Sequence, residues 1–372
     1  MAPIQLLDLQ GELSLYRTEA LAAMTRVMDS QAFIMGPEVE AFEAELGAAV
    51  GLPPAVGVSS GTDALLVALM ALNIGPGDEV LTSPFTFFAT AGTVARLGAR
   101  PTFVDIDPAT FNLNEAAVRR GLTPQTRAVI PVHLFGQLCD LGDFVGEKGR
   151  VPIIEDAAQA FGATLNGQHT GHFGELSTLS FFPSKNLGGF GDGGAVLTAD
   201  ATLRERMAVL RLHGSKPKYL HHLVGGNFRL DALQAAVLRV KLPLIADFAA
   251  RRQANAARYD ALFAEAGLVE RGLVTPPARL PHAGHVYNQY VIRSADRDGL
   301  AQHLTAEGIG TAIYYPRPLH LQPCFAHLGY APGDFPEAER ACAEVLALPV
   351  HPLLTADEGA RVVRTIAAYH RL

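Results

Sequence analysis

Ser180-Phe181-Phe182-Pro183-Ser184-Lys185-Asn186-Leu187-Gly188-Gly189-Phe190-Gly191-Asp192-Gly193-Gly194 sets one lysine among aromatic, small and glycine residues. Phe181, Phe182 and Leu187 predict partial burial of the segment, and burial lowers a lysine's pKa and sharpens it as a nucleophile. The glycines permit tight turns and close approach of a ligand to backbone. Upstream lies Ile153-Ile154-Glu155-Asp156-Ala157-Ala158-Gln159, which places Asp156 at the end of a buried strand. A carboxylate there needs a partner. A lysine able to form a Schiff base, with a carboxylate for a pyridinium nitrogen, is what a protein supplies to run pyridoxal phosphate chemistry. The plainer alternatives are a surface lysine and a helix N-cap at Asp156. Gln159, three residues on, shares a helical face with Asp156; it can touch a cofactor's hydroxyl edge or complete a capping box.

The frame around this pair is an α/β pattern. Ala55-Val56-Gly57-Val58 predicts a short buried strand, followed by the small-residue turn Ser59-Ser60-Gly61-Thr62-Asp63 and a strong helix former from Ala64 to Met70. Glu79–Thr82, Pro101–Asp105, Ala128–Val132 and Val151–Ile154 read as further strands, with helices at Val39–Val50 and Phe88–Leu97. Such alternation predicts a mostly parallel central sheet covered on both faces, with ligands at the carboxyl ends of its strands. Gly61, Asp156 and Ser180 all fall at such ends. After Gln234 the texture changes. Leu233–Ala266 predicts a long helix with a break near Pro243, Asn288–Arg293 a strand, Arg297–Glu307 a helix, Thr311–Tyr315 a strand, and Ala338–Leu348 and Ala356–Tyr369 helices. The expected division is a large domain over residues 1–240, with an N-terminal arm, and a smaller C-terminal α+β domain over residues 241–372.

Composition narrows the class. The chain has 372 residues and a net charge of −7 without long charge runs, so no basic face invites nucleic acid. No apolar run is long enough for a membrane span, and the first residues lack a basic segment followed by an apolar core. Cys139, Cys324 and Cys342 are widely spaced and predict reduced thiols in a cytoplasmic protein, with no metal site. The histidines His133, His213, His221, His222 and His320 show no metal-ligand spacing.

Ser59-Ser60-Gly61-Thr62 before a helix can cradle a phosphate on free N–H groups at the positive end of the helix dipole, or can be an ordinary cap. Phe87, in Ser83-Pro84-Phe85-Thr86-Phe87-Phe88, can stack on a planar ring or belong to the core. Arg229 can pair with a carboxylate or diphosphate through two parallel hydrogen bonds, or brace a loop.

Taken together, Asp156-Ala157-Ala158-Gln159, Ser180-Phe181 before Lys185, the glycine tail, and Asn227-Phe228-Arg229-Leu230-Asp231-Ala232-Leu233-Gln234-Ala235-Ala236 resemble the DegT/StrS family of PLP-dependent sugar-nucleotide aminotransferases. So do Gly36-Pro37-Glu38-Val39-Glu40-Ala41-Phe42-Glu43 and Tyr314-Tyr315-Pro316-Arg317-Pro318-Leu319-His320. The resemblance spans essentially the whole chain. It implies a type I PLP aminotransferase fold and a homodimer with sites shared across the interface. On that resemblance Lys185 carries pyridoxal 5'-phosphate, Asp156 holds the pyridine nitrogen, and Gln159 lies near the ring hydroxyl. Gly61, Thr62 and Ser180 bind the phosphate, Asn227 arrives from the other subunit, and Phe87 faces the ring. Arg229, Tyr315 and His320 become candidates for contact with substrate. Relatives with histidine in place of the lysine are dehydratases, a reading that Lys185 disfavours.

The implied reaction moves an amino group from an amino acid, L-glutamate by resemblance, through pyridoxamine 5'-phosphate to a nucleotide-linked keto sugar. Val132-His133-Leu134-Phe135-Gly136-Gln137 and Val286-Tyr287-Asn288-Gln289-Tyr290 resemble members acting on a 3-keto hexose or 3-keto hexuronate. A 4-keto sugar is the alternative within enzymes. A regulatory or sensory protein is the alternative outside them, although no helix-turn-helix signal supports DNA binding.

Overall fold

Among the described residues twelve strands follow one another: β1 Val56–Val58, β2 Glu79–Thr82, β3 Arg100–Phe103, β4 Thr126–Ile130, β5 Ile154–Asp156, β6 Thr164–Leu165, β7 Gln168–His169, β8 Leu176–Ser180, β9 Gly194–Leu197, β10 Ala283–Gly284, β11 Tyr290–Arg293 and β12 Val345–Leu348. The computed structural model describes residues 2–147 and 149–372. Two sheets, β1-β9-β8-β5 and β3-β2-β4, meet where β4 and its continuation run parallel to β5 through Val129↔Ile153 and Val132↔Asp156. The combined order is β1-β9-β8-β5-β4-β2-β3, parallel throughout except for β9. This is the mostly parallel central sheet expected from the alternating pattern, and it accords with the type I PLP aminotransferase fold that the resemblance implies.

Helices bury both faces. Gly61–Ala71 is almost wholly buried, which its run of Ala, Leu and Val permits. Pro37–Ala49 buries Val39, Phe42 and Leu46 against Phe181 and Leu230 on the other face. The long helical stretch after Leu230 is split as Pro243 predicts. Ala232–Lys241 ends in a 3-10 turn at Leu242–Leu244, and Ile245–Glu265 continues beyond it.

In the C-terminal part, β11 and β12 pair antiparallel from Tyr290↔Leu348 to Arg293↔Val345. Two expectations fail here. The helix expected over Ala338–Leu348 stops at Glu344, and Val345-Leu346-Ala347-Leu348 forms β12 with all four residues buried. Four consecutive apolar residues have no solvent-facing position for a helix stripe, whereas a strand covered on both sides accepts them. The strand expected at Thr311–Tyr315 reduces to one bridge, Ala312↔Ala347. Pro316 and Pro318 follow at once and withhold the donors a ladder needs.

The N-terminal segment joins this part of the chain. Ile4 N–H donates to the Gly308 carbonyl and Gly310 N–H to the Ile4 carbonyl, each at 2.8 Å. Ile4 then packs with Tyr259, Phe263, Tyr290 and Ile366. Among the described residues no helix is long and apolar enough to cross a membrane.

Candidate active site

The carboxyl end of β5 carries two adjacent acids, and strand alternation sends them to opposite faces. Asp156, 5% exposed, faces a cavity of about 370 Å³. Its Oδ2 accepts from Thr90 Oγ1 at 2.8 Å and its Oδ1 from the Ala158 N–H at 3.3 Å. Burial pushes this carboxyl above the usual range, with the Thr90 and Ala158 hydrogen bonds and the Lys185 charge opposing it. Glu155 faces the other way. Burial would raise it too, but the hydrogen bonds from His133 and from the Gly171 and Phe173 N–H groups outweigh burial and hold it low. His133 Nδ1 accepts from the Cys139 N–H at 2.9 Å, so Nε2 carries the hydrogen given to Glu155 Oε2 at 2.9 Å. Glu155 is thus an anchor for residues 170–174, and Asp156 is the acid left for chemistry.

Lys185 lies in the crossover between β8 and β9. Phe181 and Leu187 are buried and fix the crossover, while Phe182 is exposed, contrary to the sequence reading. Backbone hydrogen bonds from Phe181 to Gly193, from Gly189 to Phe181 and from Lys185 to Phe182, each at 2.8 Å, fold it tightly. At Gly188 a Cβ would lie 2.3 Å from the Pro183 carbonyl oxygen, so only glycine allows this turn. Lys185 itself is half-buried and lines the cavity. Burial pushes its amine down to about 8, against the opposing charge of Asp156. An amine so placed is partly neutral near pH 7 and able to attack a carbonyl.

The far end of the cavity is an anion cradle. Ser60 caps the helix Gly61–Ala71, its side chain accepting from the Asp63 N–H at 3.0 Å. The N–H groups of Gly61 and Thr62 have no protein acceptor among the described residues and open on the cavity, where the helix dipole favours negative charge. A Cβ on Gly61 would lie 2.6 Å from the Ser180 Cβ, so glycine is what lets the helix start approach the end of β8. A phosphate fits this cradle, Asp156 suits a protonated ring nitrogen, and Lys185 suits a Schiff base. The residues present therefore fit pyridoxal phosphate.

The walls complete the site. Phe87 is 56% exposed and stands 6.2 Å from Tyr315, centroid to centroid. Gln159 is fixed at both ends: Oε1 accepts from the Phe135 N–H at 2.7 Å, and Nε2 donates to the Tyr315 hydroxyl at 3.1 Å. Burial and the Asp156 charge push the Tyr315 phenol up, so Tyr315 stays protonated.

Gly61, Thr62, Phe87, Asp156, Gln159, Ser180, Lys185 and Tyr315 are thus brought together. Three expected residues are not. Asn227 is exposed and pairs with Leu212 in an irregular bridge; Arg229 is half-buried beside Val58. His320 is a correction to the sequence reading as a substrate contact. It is 1% exposed, hydrogen-bonds Glu339 at 3.2 Å and sits 4.8 Å from the Phe335 ring. The preceding Leu319 N–H is tied to the Pro84 carbonyl at 2.7 Å, which fixes the turn with His320 inward. Ser60, read as part of the phosphate turn, lines the cavity too, as do Thr86, Ser184, Asp192, Gln289 and Tyr314, which were not read as site residues. Among the described residues no group of three or more His, Cys, Asp or Glu is placed to hold a metal.

Comparison with known proteins agrees with this geometry. Residues 15–367 match the model of the DegT/DnrJ/EryC1/StrS aminotransferase family. The chain is 46% identical to a "pleiotropic regulatory protein" of Geobacillus stearothermophilus, over 99% of each chain. It is 42% identical to UDP-N-acetyl-3-dehydro-alpha-D-glucosamine 3-aminotransferase of Acidithiobacillus ferrooxidans, over 98% of this chain and 97% of that one. The solved structure of S. venezuelae DesV in complex with ketimine intermediate superposes over 100% of both chains, with 40% identity and a TM-score of 0.93. The structure of NtdA from Bacillus subtilis with bound cofactor PMP, 29% identical, covers 100% of this chain and 86% of that one at a TM-score of 0.90. With its lysine, acid and phosphate cradle in one cavity, the chain belongs to the DegT/DnrJ/EryC1/StrS aminotransferase family and is a pyridoxal phosphate-dependent transaminase of nucleotide-sugar metabolism.

Proposed function

We propose that the protein transfers the amino group of L-glutamate to the 3-keto position of a nucleotide-linked hexose or hexuronate. The observation that carries the transaminase site is the single cavity in which Lys185, Asp156 and the Gly61–Ser180 cradle meet. Support for the 3-keto position comes from relatives named for 3-amino sugars, at 36–42% identity.

Pyridoxal phosphate, when bound, supplies an electron sink for the carbon that loses its proton. The N–H groups of Gly61 and Thr62, with the Ser180 hydroxyl, bind its phosphate without needing a cation. Asp156 keeps the ring nitrogen protonated, and Thr90 and Ala158 hold that carboxylate in one orientation. Phe87 covers a ring face, and Gln159 and Tyr315 bound the hydroxyl edge. Lys185 Nζ, neutral enough to accept a proton near pH 7, takes it from the donor's carbon and returns it on the other side of the exchange.

A second copy of the chain completes the site. Asn227 and Arg229 lie off the cavity lining; Tyr219, Leu220 and Val224 expose apolar surface just before them in sequence, and Ile34, which bridges Asp231, is exposed as well. Such exposure fits a covered interface. The free thiols Cys139, Cys324 and Cys342 suit a reducing, cytoplasmic setting.

The test incubates the PLP-loaded protein with glutamate and a panel of 3-keto and 4-keto nucleotide sugars, with the amine product read by mass spectrometry. Amination of 3-keto sugars is the expected result. Conversion of 4-keto sugars alone overturns the substrate assignment. A visible cofactor band that glutamate fails to bleach favours a regulatory role instead. Borohydride reduction and peptide mapping should place the cofactor on Lys185.

A further inference from the structure

Next to the active cavity lies a second, much smaller cavity of about 20 Å³. Its rear is apolar, formed by Leu6, Leu7, Ala347, Leu348 and Val350; its front is polar, formed by Ser184, Asn288, Gln289 and Tyr314. Ser184, Gln289 and Tyr314 also line the active cavity. The two spaces therefore share Ser184, Gln289 and Tyr314 as a polar boundary, with Ser184 next in sequence to the lysine.

Asn288 makes this chamber unusual. It is 3% exposed, and neither its Oδ1 nor its Nδ2 has a hydrogen-bond partner among the described residues; the same holds for Gln289 Oε1. Buried side-chain amides are rarely left unpaired at both ends. A cavity needs about 10–15 Å³ to take one water, and the water needs two to four polar partners. The chamber is the size of one such molecule, and the amides of Asn288 and Gln289 offer donors and acceptors together.

We propose that this chamber holds one ordered water, bonded to Asn288 and to Gln289 Oε1, which fixes the Gln289 amide so that Nε2 donates into the active cavity to an oxygen of the keto-sugar substrate. With Oε1 drawn to the rear, Nε2 is the end of that amide left to the front. Gln289 is then a specificity-determining contact and Asn288 a positioning residue acting through the water. The assignment of the sugar oxygen rests on the function proposed above; the water and the orientation of Gln289 do not.

Two measurements test this. A crystal structure of the PLP-loaded protein should show a water peak within hydrogen-bond distance of Asn288 and Gln289. Asn288→Leu, similar in volume and without polar atoms, should lose the peak and raise KM for the keto sugar about tenfold, the scale of one hydrogen bond, with little change in kcat. The dissociation constant for pyridoxal phosphate should stay at the wild-type value, which separates lost positioning from general damage. No peak in the wild-type crystal, with Asn288 bonded to protein groups instead, overturns the proposal whether or not the variant folds. So does a wild-type KM in a variant that has lost the peak. If the wild-type protein aminates no keto sugar, the functional reading fails, while the crystal structure still decides the water and Gln289.

Discussion

Thr90 Oγ1 donates to Asp156 Oδ2 at 2.8 Å, across 66 positions of sequence and with both groups buried. Thr86 Oγ1 lies 3.1 Å behind Thr90, so hydroxyls extend from the carboxylate toward the cavity wall. A hydrogen bond to a charged, buried group is worth about 1.5–3 kcal/mol. Thr90→Val keeps the shape and removes the donor. Turnover should fall about tenfold or more, and cofactor affinity should weaken with it. Thr90→Ser should restore most of both. Equal kinetics for the valine variant would make Thr90 a packing residue only.

The Lys185 amine should set the pH dependence of cofactor loading. Burial lowers it from its ordinary 10.5 to about 8. The apoprotein's rate of taking up pyridoxal phosphate should therefore rise with pH to a midpoint near 8, followed by the growth of the visible band. Asp156 opposes the lowering, so Asp156→Asn should move that midpoint further down while impairing catalysis far more than folding. A midpoint near 10.5 would show that Lys185 is solvated like a surface lysine.

Stability follows the same titration. Between about pH 8 and 10.5 the unfolded chain holds a proton on Lys185 that the folded apoprotein has lost, so apoprotein stability rises with pH in that window. Below about 8 both states are protonated and the buried charge weighs on the fold. Lys185→Met should stabilise the apoprotein at pH 7 by roughly 2 kcal/mol, a figure discounted for partial contact with water. Denaturant titrations at pH 7 and pH 10 should show that advantage shrinking. A constant difference between the two would refute the linkage.

Gly61→Ala tests the phosphate cradle. The new methyl would meet Ser180 Cβ at 2.6 Å, forcing the helix start away from β8. Overpacking of this kind costs about 1–3 kcal/mol. Cofactor dissociation should increase about tenfold or more, with a smaller loss of apoprotein stability. Fluorescence titration with pyridoxal phosphate reads the first and thermal unfolding the second; an unchanged dissociation constant would place the phosphate elsewhere.

Sharing of sites between subunits has its own test. Lys185→Ala and Asn227→Asp are each expected to be inactive. Mixed under conditions that exchange subunits, they should regain activity, because one interface of the mixed dimer keeps both native groups. No recovery after confirmed exchange would assign the two residues to one subunit's site.

The residues that could be read from sequence are those whose neighbours along the chain create their setting. Lys185 is surrounded by its own glycines, Asp156 follows its own strand, and Gly61 precedes its own helix. Thr90 acts through Asp156, far away in sequence, which no local pattern reveals. Strand β9 was not read, and β8 was placed only by its carboxyl end at Ser180. Leu176-Ser177-Thr178-Leu179-Ser180 looks polar, yet Ser177 and Thr178 are buried because their hydroxyls bond Thr170 and the Glu155 carbonyl. His320 misled in the opposite direction. Its chemistry suits a site, but Glu339 and Phe335 claim it.

The pairing of Ile4 with residues 308–310 means that a segment made early finds its partner in one made much later. The Ala2 carbonyl is likewise held by Arg361. Long-range closures of this kind delay completion of a fold, and domains otherwise form in order during synthesis. The β1–β9 sheet can assemble on the nascent chain, but the docking of Ile4, Leu6 and Leu7 must await residues 308–350. An N-terminal segment that waits this way makes the finished C-terminal half a checkpoint: a chain that stops short of residues 308–310 is left with an unpaired leading segment and an unfinished wall in the small cavity next to its catalytic one.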